Sequence, residues 1–173
     1  MQCGSSKFDG VTVREATVGD GQKISAYVGG IVAEDLDTIP SRTIRTAEAY
    51  EAIIATTAPG ERLFLIAMNG ETVIGLLDLQ VDHKRGRQHV GAFGTTVASH
   101  HRGRGIGRCL LELALAKSRS WPSVCRLELE VVPWNKPAIA LYQSAGFEIE
   151  ARKAKAINLR GEPEDILLMA LVW

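Results

Sequence analysis

Val97-Ala-Ser-His-His-Arg102-Gly103-Arg104-Gly105-Ile106-Gly107-Arg108 sets three glycines at alternate positions, directly between a β-rich run and a helical one. The β run spans about His89 to Ala98. The helical run goes from Gly105 to about Ser120 and puts Ile106, Leu110, Leu113 and Ala114 on one stripe. Residues without Cβ let the backbone turn tightly and aim successive N–H groups at one anion. The helix that follows adds its free N–H groups and the positive end of its dipole. Arg102, Arg104 and Arg108 would bring charge for a diphosphate or a terminal phosphate. Two familiar phosphate loops are excluded: there is no Gly-Lys-Ser/Thr, and glycines at 103, 105 and 107 do not make Gly-x-Gly-x-x-Gly.

Working downstream, Arg126 to Val132 reads as a strand, so residues 89 to 132 form a β-α-β unit that should be parallel and right-handed. A helix from Asn135 to Ala145 follows, with Asn135 as N-cap, Pro137 in its first turn and Gly146 as its left-handed stop. Strands over Phe147–Ala156 and Asp165–Val172 close the chain. Upstream lie a short strand, Val11–Glu15, and helices over about 20–34 and 43–57. The first helix should bend or break at Gly29-Gly30, and the second carries Tyr50, Ile53, Ile54 and Thr57 on one face. Leu63–Met68 is a strand, Asn69-Gly70 predicts a two-residue hairpin, and Val73, Gly75, Leu77, Leu79 and Val81 mark one face of the next strand. Gly91 and Gly94, inside the strand that leads to the glycine loop, predict a bulge or a close approach. The order β α α β β β α β α β β defines an α+β, three-layer chain, with a mixed but mostly antiparallel sheet.

A chain of 173 residues suits one domain, read here as 11–173 after a flexible, Gly/Ser-rich segment 1–10. Apolar residues are 46% and charged ones 23%, ordinary for a globular protein. Lys+Arg and Asp+Glu both number 20, and the resulting zero formal charge argues against nucleic acid as partner. No apolar run approaches the roughly 18 residues of a membrane span, and MQCGSSKFDG lacks the apolar core of a signal peptide. The expectation is a cytoplasmic protein with no membrane partner. Cys3, Cys109 and Cys125 are odd in number and form no Cys-x-x-Cys, against both a disulfide framework and a zinc site. Cys109 and Cys125 read as small core residues. His100-His101 has no nearby carboxylate or cysteine to complete a metal site, so no metal is expected.

Arg102-x-x-Gly105-x-Gly107, five residues after Val97, resembles the acetyl-CoA motif of the GCN5-related N-acetyltransferase (GNAT) superfamily. Asn135-Lys-Pro-Ala138-Ile-Ala-Leu-Tyr142 through Gly146-Phe147 resembles its second signature, and the Asp165–Met169 strand its usual ending. The resemblance covers about Val11 to Trp173 and is strongest over 89–148. It implies a GNAT fold: about seven strands, a parallel pair that splays between the fourth and fifth, and about four flanking helices. It implies acetyl-CoA as co-substrate, with the Val97 backbone on the pantetheine arm and Gly103, Arg104, Gly105, Ile106, Gly107 and Arg108, with Arg102, around the pyrophosphate. Asn135 matches a further pantetheine contact, and Tyr142, seven residues on, the acid for the leaving thiolate. Glu130 matches a general base found in protein-N-terminal alanine acetyltransferases. Glu128 lies on the same strand face. Thr95 and Thr96 stand where other members carry a base on the fourth strand, and His89 reads as a strand-start residue.

The chain looks most like bacterial members, the phosphinothricin-like group among them, that acetylate small amines or amino acids. Acetylation of protein N-termini or lysines, and acyl-CoA sensing without turnover, are the competing readings. Acceptor choice would lie in the first two helices, with Glu34, Asp35 and Asp37, and in the loop from His83 to Gln88. Similar proteins are often homodimers, and no segment here marks an interface.

Overall fold

The structure, a computed structural model, describes residues 10–34, 44–159 and 161–173. The expectations for Cys3, Asp35, Asp37 and the first nine residues lie outside this range. The elements run β1 (Val11–Glu15), α1 (Gly21–Ala33), α2 (Ala47–Thr56), β2 (Arg62–Asn69), β3 (Thr72–Val81), β4 (Val90–Val97), α3 (Ile106–Ser118), β5 (Arg126–Val131), α4 (Lys136–Ser144), β6 (Glu148–Leu159) and β7 (Glu162–Val172). A single 3₁₀ turn, Ser99–His101, links β4 to the glycine loop, so His100 and His101 are not extended. All seven strands form one sheet in the order β1-β2-β3-β4-β5-β7-β6. Only β4 and β5 run parallel, as the sequence order predicts.

Alternation along β2 divides the interior into two cores. Leu63, Leu65 and Ala67 face a large cluster with α3 and α4 that includes Leu110, Leu127 and Tyr142. Phe64, Ile66 and Met68 face a smaller one with Ile24, Tyr27, Ile31 and Tyr50 of α1 and α2. α1 runs unbroken through Gly29-Gly30. Ile24, Tyr27, Val28 and Ile31 are all buried there, and that packing outweighs a cost of about 1 kcal/mol per glycine. α2 starts at Ala47, later than expected, because the Thr46 hydroxyl accepts from the Ala49 N–H at 3.2 Å and caps it.

Two local expectations fail in the first hairpin. Asn69 pairs with Thr72, so the two-residue loop is Gly70-Glu71 rather than Asn69-Gly70. Gly70 has φ +56°, and Lys155 is the only described non-glycine residue with positive φ, which places glycine first in the turn. The β2–β3 register also shifts between Ala67 and Met68. This bulge turns both Ile74 and Gly75 toward α3, and moves Val73 to the α1–α2 side, off the face shared by Leu77, Leu79 and Val81.

No such shift occurs in β4, which pairs with β3 in continuous register from Gly91–Val81 to Val97–Gly75. Gly91 answers to side-chain packing: a Cβ there would lie 2.6 Å from Leu127 Cδ2 and 3.1 Å from Leu79 Cδ1. At Gly94 a Cβ would meet nothing within 4 Å, since that position borders the cleft described below. Cys109 is buried, but Cys125 is exposed. It precedes β5, in a stretch whose main chain bonds to His89 and Trp173.

Candidate active site

β4 and β5 pair only at Val90–Arg126, Gly91–Leu127 and Ala92–Glu128. Beyond that, β4 stays with β3 and β5 stays with β7 as far as Val131–Leu167. The edges of Phe93–Val97 and Leu129–Val131 therefore face each other without forming a ladder, and β5 ends two residues before Pro133. An open cleft of about 1420 Å³ passes through this wedge and reaches both faces of the sheet. It exceeds the ~1,000 Å³ upper range of ordinary small-molecule pockets.

On the α3–α4 side the wall is mostly main chain. Gly103 and Gly105 have φ of +72° and +86°, a region costly for residues with Cβ. Gly105 is the N-cap of α3, without a capping side chain or an acidic residue in the first turn, so the helix N-terminus is open toward the cleft. At Gly107 a Cβ would make only ordinary contacts, with Leu141 Cδ2 at 3.5 Å and Val97 Cγ2 at 3.8 Å. The three arginines diverge. Arg102 Nε donates to the Val97 carbonyl at 2.8 Å and its terminal nitrogen pairs with Glu34 at 2.7 Å. Glu34 also accepts from the N–H and hydroxyl of Ser99, both at 3.3 Å, so Arg102 joins the end of α1 to the end of β4. Arg104 is exposed and stands outside the cleft lining, whereas Arg108 lines it and donates to the Ser144 hydroxyl at 3.2 Å.

α4 brings the second signature to the same wedge. Asn135 caps the helix, its Oδ1 accepting from the Ala138 N–H at 3.3 Å, and lines the cleft, so capping and ligand contact are compatible. Gly146 has φ +95° and ends the helix as predicted. Tyr142 is 6% exposed and lines the cleft, its ring edge-to-face with Phe93 and Phe147 at 5.8 and 6.0 Å.

On the opposite face the wall is made of charged side chains. β5 sends Leu127, Leu129 and Val131 into the α3–α4 core, leaving Glu128 and Glu130 on the other side. Arg126 and Arg87 each pair with Glu128 at 2.7 Å, and Arg87 also holds Asp82 at 2.7 Å. Burial pushes the Glu128 carboxyl up, but the two arginines prevail and hold it below the usual carboxylate range. That keeps it ionised and makes it a weak proton acceptor. Glu130 is paired with Lys153 and 43% exposed. Arg62 grips Asp78 through two bonds, 2.9 and 2.6 Å, and lies over the Phe64 ring at 4.6 Å. Thr95 and Thr96 are engaged with the Leu76 carbonyl and the Tyr27 hydroxyl. His89 is exposed and outside the cleft. Arg45, Tyr50, Arg62, Asp78, Lys153 and Trp134 also line the cleft, and no motif in the sequence signals them.

A splayed parallel pair, a glycine-built cradle and an aromatic helix beside them define an acyl-transfer architecture. Residues 31–147 match the profile of the Acetyltransferase (GNAT) family, and the chain belongs to that family as an N-acetyltransferase. It is 35% identical, over 66% of its length and 70% of the relative's, to the L-amino acid N-acetyltransferase AaaT of Escherichia coli K12. The ribosomal-protein-alanine N-acetyltransferase of Brucella melitensis superposes with a TM-score of 0.80 at 26% identity, covering 93% of this chain and 99% of the other. The Salmonella typhimurium acetyltransferase yncA, solved with its cofactor acetyl-CoA, superposes at 0.83 with 20% identity, covering 94% and 93%.

Proposed function

We propose that the protein moves the acetyl group of acetyl-CoA directly onto the primary amine of a small molecule or amino acid. One observation carries this reading: the wedge connects an open helix N-terminus and glycine loop on one face to a charged floor on the other. A donor held on the first face can present its thioester to an amine on the second. The amides from Gly103 to Arg108 take the pyrophosphate, and Arg108 adds charge. The Val97 backbone and Asn135 take the pantetheine arm. Arg102, which also lines the cleft, is tied to Glu34 and to the Val97 carbonyl, and so acts on the donor through the shape of the loop as well as through its charge.

In the reaction the amine nitrogen bonds to the thioester carbon, and the unpaired N–H edge of β4 stabilises the oxyanion. The C–S bond then breaks, Tyr142 protonates the thiolate, and the second proton released by the nitrogen as it becomes an amide returns through solvent to the phenolate. A phenol of pKa about 10 is a usable acid toward a thiolate of about 8.5. Freeing an amine of pKa about 10 from its proton at pH 7 costs about 4 kcal/mol, and Glu130 receives that proton. Glu130 and Lys153 pair with each other, and both line the cleft. Similarity to the E. coli amino-acid enzyme supports a small acceptor. Balanced charge supports a free cytoplasmic acceptor over nucleic acid or a membrane surface. Among the described residues no helix is long and apolar enough to cross a membrane.

The test is CoA release from acetyl-CoA across amino acids, polyamines and peptides, repeated with Tyr142→Phe. The variant should lose about a hundredfold in kcat while its KM for acetyl-CoA barely moves. Unchanged kcat removes Tyr142 from the chemistry. Tight donor binding without turnover on any acceptor overturns the enzymatic reading of the site.

A further inference from the structure

The arginines on the acceptor side of the cleft are not equivalent. Arg62 is neutralised by Asp78, and Arg87 by Asp82 and Glu128. Lys153 is neutralised by Glu130. Arg45 also lines the cleft, and among the described residues no carboxylate pairs with it. Its guanidinium carbon lies 6.0 Å from the centroid of Tyr50, which is itself buried and edge-to-face with Phe64 at 5.9 Å. Arg62 lies over that second ring. Two guanidiniums thus share one aromatic shelf, one filled by a carboxylate and the other open to the cleft. The backbone under Arg45 is fixed: its carbonyl accepts from the Ser25 hydroxyl of α1 at 2.9 Å, and the next residue caps α2.

A half-buried guanidinium on an aromatic face, with its fork of donors unfilled, suits a planar oxyanion. Among the described residues, the carboxylates that line the cleft already carry their own cations, so a second ammonium on the acceptor would find no free partner there and would meet Arg45. We propose that Arg45 binds the carboxylate of the acceptor, and that the preferred acceptors are therefore amines that also bear a carboxylate, amino acids rather than polyamines. This assignment rests on the acetyl-transfer reading above.

A panel of L-amino acids, each matched with its own carboxamide, and spermidine separate the possibilities when run on the full chain and on Arg45→Gln and Arg45→Lys. The unaltered enzyme should favour each acid over its amide by roughly tenfold in kcat/KM and use spermidine poorly. Arg45→Gln should raise KM for the acids about tenfold, leave the amides and the KM for acetyl-CoA unchanged, and so erase the preference. Arg45→Lys should restore part of it, since the charge returns without the fork. An unchanged donor KM also shows that the variants are folded. A preference for amides or spermidine in the unaltered enzyme, or an acid preference that survives Arg45→Gln, overturns the assignment while leaving acetyl transfer intact. Turnover of no acceptor at all, with acetyl-CoA still bound, overturns the acetyl-transfer reading and this assignment with it.

Discussion

On the α3–α4 side of the sheet the cleft is walled by glycines, a helix terminus and strand edges; on the α1–α2 side it is walled by arginines, carboxylates and the Tyr50 ring. The first wall offers main-chain N–H groups whose positions follow from backbone conformation. The second offers side chains whose positions follow from mutual pairing. A donor common to a whole family suits a backbone site, which survives exchange of almost any side chain. An acceptor that differs between members suits a wall that can be rewritten one ion pair at a time.

This contrast can be tested by perturbing each side separately. The largest effect should come from Asp20, just before α1, the helix that roofs the side-chain wall. Its carboxylate takes two bonds from Arg14, 2.6 and 2.8 Å, and one from the Thr17 N–H at 2.8 Å. The Arg14 bonds outweigh burial, and the Asp20 pKa falls from 3.8 to about 2. The depressed value stabilises the fold above the ordinary pKa, and this stabilisation fades as pH falls through the folded one. Asp20→Asn should cost about 2 kcal/mol in urea unfolding at pH 7, and the gap between variant and parent should close between pH 4 and pH 2. Hydrogen exchange at low pH should loosen α1 before α3. Simultaneous loosening would show that the two sides are not independent.

Gly105→Val should come next. A β-branched residue at φ +86° costs ~1–2 kcal/mol and displaces the open end of α3. KM for acetyl-CoA should rise about tenfold with acceptor KM unchanged, as steady-state kinetics would read. Glu128→Gln is the counterpart on the other wall. It removes the carboxylate shared by Arg87 and Arg126, and acceptor KM should rise about threefold with donor KM unmoved, as expected for partly exposed pairs. The smallest change should be Arg104→Ala, less than about twofold in any constant, since that side chain stands outside the cleft. A larger donor effect would mean that side-chain charge, and not backbone alone, builds the cradle.

The same division explains what could be read from the chain. Gly103, Gly105 and Gly146 announce themselves because positive φ favours glycine, and Asn135 because its side chain caps α4, and with them came the element order. Val73 faces opposite to what its alternation predicts, because the bulge at Ile74–Gly75 leaves no mark in a run of apolar residues. Gly91 suggested a ligand or a bulge, whereas the reason lies 36 residues away in the Leu127 side chain. The Arg102–Glu34 pair is equally hidden, because its partners are 68 residues apart in sequence. Arg45 carries no signal, because what distinguishes it is a carboxylate partner that its neighbours have and that it lacks among the described residues.

The short β4–β5 ladder has a mechanical side. Three residue pairs are all that joins the four-stranded portion, β1 to β4, to the three-stranded portion, β5 to β7, within the sheet. α3 packs on β2, β3 and β4, so it belongs to the first portion. Beyond the ladder, the shared core around Leu79 and Leu127, the Phe93–Tyr142–Phe147 rings and the Arg87–Glu128 pair tie the two portions together across the seam. Pulled from its ends, the molecule should tear along this line, and a ligand lying in the seam would act as a further rivet and raise the force at which it parts.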